Sequence, residues 1–193
     1  MRLLPAADRV RSRWLNGAGS VVEVARDGGE AFLWRISIAT VEGSSEFSAY
    51  PGVDRMLMPL SAGGIGLEVD GAGIHLPEGA VLAFAGEQSV RCLASTATTD
   101  DLNLMVRRGA ATGSLARVVL DGALSVGGRG VVAVVVLEGA VFHEGGALQH
   151  RDALLLEAGE SARLRGTGIL AIASIITVAP AAVKSPPEAP LPV

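Results

Sequence analysis

Residues 80–87, Ala-Val-Leu-Ala-Phe-Ala-Gly-Glu, can be laid over residues 153–160, Ala-Leu-Leu-Leu-Glu-Ala-Gly-Glu. Each stretch is a short apolar run closed by Ala-Gly-Glu. Each also follows a strand that leads into a small-residue turn, Leu60-Ser61-Ala62-Gly63 before the first and Leu137-Glu138-Gly139-Ala140 before the second. Apolar runs this short, bounded by turn chemistry, specify buried strands rather than helices. Working outward, strand patterns recur at Val21–Ala25, Phe32–Val41, Glu46–Tyr50, Arg55–Leu60, Gly64–Val69, Val81–Phe84 and Val90–Leu93. They continue at Leu102–Arg107, Leu115–Leu120, Val131–Leu137, Ala140–His143, Ala153–Leu156, Ser161–Leu164 and Ile169–Val178. Turn signals separate them at Pro51-Gly52, Asp70-Gly71, Pro77-Glu78-Gly79, Asp121-Gly122, Gly127-Gly128 and Gly145-Gly146. Long helical periods with caps are missing. Many short strands joined by Gly-containing turns predict an all-β sandwich or barrel.

The duplicated pattern looks like the core of a cupin jelly roll present twice. The expected architecture is an all-β bicupin of two jelly-roll-like halves packed as one unit, residues 1–110 and 111–179, with the boundary near Gly109–Gly113. Five of the nine prolines fall from Pro180 onward, so residues 180–193 read as an extended Pro-rich tail. With 193 residues, 49% of them hydrophobic and 19% charged, the chain can bury a substantial core.

Composition excludes several function classes. A formal charge of −4 and a pI near 5.4 provide no basic field for a phosphate backbone, so no nucleic-acid partner is expected. Lys184 is the only lysine. That removes a phosphate-loop lysine, a Schiff-base lysine and a Ser-x-x-Lys nucleophile together. Cys92 is the only cysteine, so no intrachain disulfide can form, and the thiol reads as packed and inert. The three histidines, His75, His143 and His150, include no His-x-His pair, and no metal or other cofactor is expected. Gly-x-Ser-x-Gly and Gly-x-Gly-x-x-Gly are both absent. The uncharged stretch between Arg165 and Lys184 contains Gly166, Thr167, Gly168, Ser174, Thr177 and Pro180, and reads as a buried strand rather than a membrane span. With no signal-peptide run at the N-terminus, the chain is expected in the cytoplasm without a membrane partner. Its excess of aliphatic strands leans toward a homodimer that covers sheet edges.

Strand alternation points to a site. In Phe32–Val41 one face carries Trp34, Ile36 and Ile38, and the other Arg35, Ser37 and Ala39. In Asp101–Arg107 one face carries Leu102, Leu104 and Val106, and the other Asp101, Asn103, Met105 and Arg107. Arginine beside Ser and Asn suits a carboxylate, through bidentate and single hydrogen bonds. The Gly-rich loop Trp14-Leu15-Asn16-Gly17-Ala18-Gly19-Ser20 and the stretch Phe47–Arg55 complete the candidate set. In the second stretch a Pro-Gly turn feeds Asp54-Arg55, which alone reads as a turn-stabilising ion pair.

In order along the chain, these pieces resemble the HutD/Ves family. The matching residues are Trp14-x-Asn16-Gly17-x-Gly19, Glu23, Trp34-Arg35-x-Ser37-x-Ala39-x-Val41 and Phe47-Ser48. They continue with Pro51-Gly52-x-Asp54-Arg55, Phe84-x-Gly86-Glu87 and Asp101-x-Asn103-x-Met105-x-Arg107. They span roughly residues 10–110. Ala18 and Ser20 depart from the family's more usual Gly and Thr. The resemblance implies a bicupin fold in a cytoplasmic bacterial protein, with one branch linked to histidine utilisation and the other named for stress induction. It assigns no reaction.

The expected function is non-catalytic binding of a small carboxylate metabolite, as a regulatory or accessory protein of histidine utilisation. The expected pocket lies at the mouth of the N-terminal half and comprises Trp14, Asn16, Arg35, Ser37, Phe47, Ser48, Arg55, Asn103 and Arg107. Arg35 and Arg107 are the expected carboxylate partners. Two alternatives stay open: a metal-independent enzyme with Glu23, Asp54 or Asp101 as acid/base, and a structural or protein-interaction role without ligand.

Overall fold

The computed structural model describes residues 1–14, 18–29, 31–93 and 98–178. The chain begins with β1 (Arg2–Leu4), a 3-10 turn (Ala6–Asp8), β2 (Arg11–Arg13), β3 (Gly19–Arg26), β4 (Trp34–Val41), β5 (Ser45–Glu46) and β6 (Val53–Pro59). It continues through β7 (Ile65–Val69), β8 (Ala72–Leu76), β9 (Leu82–Ala85), β10 (Val90–Cys92) and β11 (Thr99–Arg107). The remaining strands are β12 (Ala111–Gly127), β13 (Val131–His143), β14 (Gly146–Leu148), β15 (Ala153–Leu156) and β16 (Ser161–Thr177). They form three antiparallel sheets, so the all-β expectation holds. Among the described residues no helix is long and apolar enough to cross a membrane.

The first six-stranded sheet runs β2-β3-β4-β11-β6-β9, and the four-stranded sheet runs β5-β10-β7-β8. The second six-stranded sheet runs β1-β15-β13-β16-β12, with β14 on β13. Period-two alternation gives the first sheet two unlike faces. Trp34, Ile36, Ile38, Leu102, Leu104 and Val106 pack against Ala133, Val135, Ala153, Leu155, Ala171, Ala173 and Ile175 of the second large sheet. The other face of the first sheet turns Val41, Leu57 and Phe84 toward Ile65, Leu67, Leu76, Val90 and Cys92, all from the four-stranded sheet. This second face also carries the polar residues.

The second large sheet is buried on both sides. Val132, Val134, Val136, Leu154, Leu156, Leu164 and Leu170 form a separate core there. Burial on both faces explains why Val131–Val136 and Ala153–Leu156 read as continuous apolar runs without alternation. The chain's first strand also joins this sheet, with Leu3 opposite Leu154. The Ala6 N–H donates to Asp152 Oδ1 at 2.8 Å.

Three strands are longer than the sequence suggested. Residues 131–143 and 161–177 each form one bent strand, where the Gly-containing breaks had predicted two, and β12 covers 17 residues rather than six at Leu115–Leu120. The glycines read as breaks are points of close backbone approach inside the sheet. A Cβ on Gly166 would lie 2.0 Å from the Ala140 carbonyl oxygen, and one on Gly139 would lie 2.2 Å from that of Thr167. Conversely, the strand expected over Glu46–Tyr50 is only Ser45–Glu46, and the chain leaves the sheet from Phe47 onward. Strands β1, β2, β8 and β14 were not anticipated: β1, β2 and β14 have only three residues each, and β8 is interrupted by Gly73 and His75.

Candidate functional site

A cavity of about 450 Å³ opens on the polar face of the first sheet. Strand β11 forms its floor, between β4 and β6. Asn103 lies opposite Ser37 on β4, and Met105 lies opposite Arg35 on β4 and Arg55 on β6. These pairings bring Arg35, Ser37, Asn103 and Arg55 to one wall, as the alternation predicted for the β4 and β11 residues. Trp14, Phe47 and Ser48 close the opposite side. The Trp14 and Phe47 rings meet edge-to-face, with centroids 6.4 Å apart. Trp14 also packs against Gly19, where a Cβ would sit 2.3 Å from the Thr40 carbonyl oxygen and 3.1 Å from the indole. Asn16, a candidate from the same loop, lies outside the described residues.

Arg55 is the centre of the site. The residue is 6% exposed. Nη2 donates to Asn103 Oδ1 at 3.0 Å, and Nη1 to the Ser48 carbonyl at 3.2 Å. The guanidinium also lies over three rings, 4.9 Å from the Phe84 centroid, 5.4 Å from Phe47 and 5.7 Å from Tyr50. Nε has no partner. Burial lowers the guanidinium pKa to about 10, with nearby Asp101 and Tyr50 opposing the shift, so the group stays charged at neutral pH. Among the described residues no carboxylate lies within salt-bridge distance of Arg55.

Beneath Arg55 is an acid that the sequence offered only as one of three acid/base candidates. Asn103 donates through Nδ2 to Asp101 Oδ1. Asp101 is fully buried, and among the described residues its Oδ2 has no hydrogen-bond partner. Burial pushes its carboxyl up to about 7, against the lowering influence of Arg55 and the Asn103 hydrogen bond.

The other expected residues fall in different places. Arg35 lines the cavity, but its Nε donates to Glu23 Oε2 at 3.0 Å, and Glu23 also pairs with Arg26 at 3.2 Å. Arg107 does not line the cavity. Its Nε donates to the Phe32 carbonyl at 3.3 Å, because β11 runs past the cavity wall before reaching position 107. The Asp54-Arg55 ion pair does not form, since neighbouring residues on a strand face opposite ways. Asp54 instead accepts from Arg108 Nε at 2.8 Å.

Arg108 also binds Glu87, whose Oε1 accepts the Gly52 N–H at 2.7 Å. These bonds hold the Glu87 carboxyl down to about 2. Next to it, the Tyr50 N–H donates to the Gly86 carbonyl at 2.8 Å, and a Cβ on Gly86 would lie 2.4 Å from the Tyr50 carbonyl oxygen. The Ala-Gly-Glu end of the first repeat therefore fixes the turn that carries Tyr50 and leads to Arg55. Tyr50, Arg13, Val21, Ala39, Glu46, Asp101 and Met105 are lining residues outside the expected set. The alternation of β4 and β11 had already placed Ala39, Asp101 and Met105 on the correct face.

Metal-ligating chemistry is thin. The His150 ring contacts the Leu137 carbonyl, and the His143 ring accepts the Gly145 N–H. Among the described residues no group of three or more His, Cys, Asp or Glu side chains could hold a metal ion.

A family model described as HutD matches residues 6–172. An uncharacterised 21.2 kDa protein from the hutC 3′ region of Pseudomonas putida is 40% identical over 110 residues, covering 54% of this chain and 57% of its own length. The match thus spans little more than half of that relative. The protein Ves of Citrobacter koseri is 36% identical over 150 residues, 74% of this chain and 72% of its own. The structure of HutD from Pseudomonas fluorescens SBW25, obtained in a formate condition, superposes with a TM-score of 0.82 at 28% identity, covering 92% of this chain and 99% of its own. A cupin 2 conserved barrel domain protein from Leptotrichia buccalis shares the fold at a TM-score of 0.52 and 14% identity, covering 82% of this chain and 89% of its own.

Proposed function

This chain belongs to the HutD family, and on that basis we propose that its N-terminal cavity binds a small carboxylate metabolite, without catalysis, in a cytoplasmic accessory or regulatory role in histidine utilisation. One observation carries the reading: Arg55 is a guanidinium charged at neutral pH and buried at the cavity wall, and among the described residues it has no carboxylate within salt-bridge distance and no partner for its Nε. A buried unpaired cation is costly, and a ligand carboxylate removes that cost. Arg35 adds a second guanidinium, Ser37 and Asn103 add small polar groups, and Trp14 and Phe47 add an apolar wall. With it we propose the bicupin arrangement of two jelly-roll-like halves, supported by separate cores on the outer side of each large sheet.

Calorimetric titration with formate, glutamate, urocanate and N-formylglutamate tests the reading. At least one acid is expected to bind, and Arg107→Ala to bind it within about twofold of the parent, since Arg107 stands outside the cavity. Failure of all four to bind contradicts the proposal. A second reading, metal-independent catalysis, draws support from Asp101, whose carboxyl near 7 suits acid/base work. Glu23 is occupied by Arg26 and Arg35, and Asp54 by Arg108. Chemical conversion of a bound acid on prolonged incubation would favour that second reading.

A further inference from the structure

Asp101 is a buried acid with one oxygen left over. Asp101 lines the cavity; Oδ1 is satisfied by Asn103, while Oδ2 has no partner among the described residues. As a carboxylate, Oδ2 is a buried acceptor without a donor, which is costly. As an acid, it is a donor that lacks only an acceptor.

The surrounding charges set which form prevails. Arg55 from β6 favours the carboxylate, but its hydrogen bonds go to Asn103 and Ser48 rather than to Asp101. Arg35 from β4 is engaged by Glu23 from β3. Asp100, next along β11, adds a like charge that favours the acid. Glu46 from β5 and Tyr50 from the following loop line the same cavity, and Cys92 from β10 lies within electrostatic reach. An incoming carboxylate offsets the Arg55 charge and brings a second negative charge beside the buried Asp101. Both effects strengthen the hold of Asp101 on its proton.

We propose that Asp101 binds the ligand as an acid: its Oδ2–H donates to the bound carboxylate, so that an anion entering the ionised site brings one proton with it. The proton comes from solvent, remains on Oδ2, and no bond of the ligand breaks. The inference rests on the carboxylate reading and gives it a pH dependence. Unliganded Asp101, with its carboxyl near 7, is mostly protonated at pH 6 and mostly ionised at pH 8. Because the ligand raises that pKa, affinity is flat below about 7. It then falls by up to about tenfold per pH unit above 7, until the pKa of the complex is reached.

Calorimetric titration of the full chain with formate and with N-formylglutamate tests this, because neither acid has a group of its own titrating between pH 6 and 9. Runs at pH 8 in Tris and in HEPES, whose ionisation heats differ, count the protons exchanged. The expected result is uptake approaching one proton per ligand, with affinity about tenfold or more weaker at pH 8.5 than at pH 6. Binding with no proton exchange and equal affinity at both pH values overturns the inference while leaving the carboxylate reading intact. No binding of either acid overturns both. Asp101→Asn is expected to bind without proton uptake and without pH dependence, and uptake persisting in the folded variant overturns the assignment. An infrared difference spectrum of the unaltered chain at pH 8 provides a readout that needs no variant. A new carboxylic-acid C=O band is expected on ligand addition, and its absence overturns the inference.

Discussion

Replacing Arg55 with Met is expected to weaken carboxylate binding by about 10- to 100-fold and to lower the melting temperature by roughly 10 °C. The affinity loss follows from removing hydrogen bonds to a charged group, worth about 1.5–3 kcal/mol. The stability loss has a separate origin. Met can still fill the space among Phe47, Tyr50 and Phe84, but Asn103 Oδ1 and the Ser48 carbonyl lose their donors. Buried polar atoms stripped of partners cost about 1–3 kcal/mol each. In a chain of this size each kcal/mol moves the melting point by about 2–4 °C. Thermal denaturation and calorimetry of the same preparation check both parts. A folded Arg55→Met protein that binds the ligand as tightly as the parent would remove Arg55 from the site.

Leu104→Ala is expected to produce a loss of stability of similar size, with no change of affinity. Leu104 is fully buried in the core between the two large sheets. Its side chain also packs on β12, where a Cβ at Gly113 would come within 3.0 Å of Leu104 Cδ2. Truncating such a leucine costs about 2–5 kcal/mol, because the surrounding sheets close the space only in part. Asn103 and Met105, the residues on either side, point into the cavity instead. Denaturant unfolding should therefore show the full loss, while titration below the new melting point should give the parent's affinity. A weakened affinity in the folded variant would show that the two faces of β11 do not act separately.

That division of labour on β11 was legible in the sequence, because a strand buried on one face and polar on the other alternates visibly. Ser37, Asn103 and Arg35 were located that way. Alternation gives a residue's face but not its depth along the strand, and this is why Arg107 was expected at a cavity that ends before it. The same limit applies to Asp101: its face was evident, whereas full burial and a partnerless oxygen depend on three-dimensional packing. Arg55 was found from its neighbourhood, yet its pairing with Asp54 was misread, since adjacent strand residues cannot share a face. Glycine caused the main errors in the second half. Gly139, Gly166 and Gly168 carry the composition of a turn, but they are small because a neighbouring strand's carbonyl passes within about 2 Å of where a side chain would begin. Gly139 and Gly166 also adopt positive φ, 92° and 124°, so the backbone conformation of a turn occurs there inside a continuous strand.

A crystal structure of the full chain with N-formylglutamate tests the carboxylate reading most directly. The expected result is a ligand carboxylate inside the cavity, within hydrogen-bonding distance of Arg55 or Arg35 and above the floor formed by Asn103 and Asp101. A ligand bound elsewhere on the protein, or one lying in the cavity with its carboxylates turned away from both arginines, would contradict it.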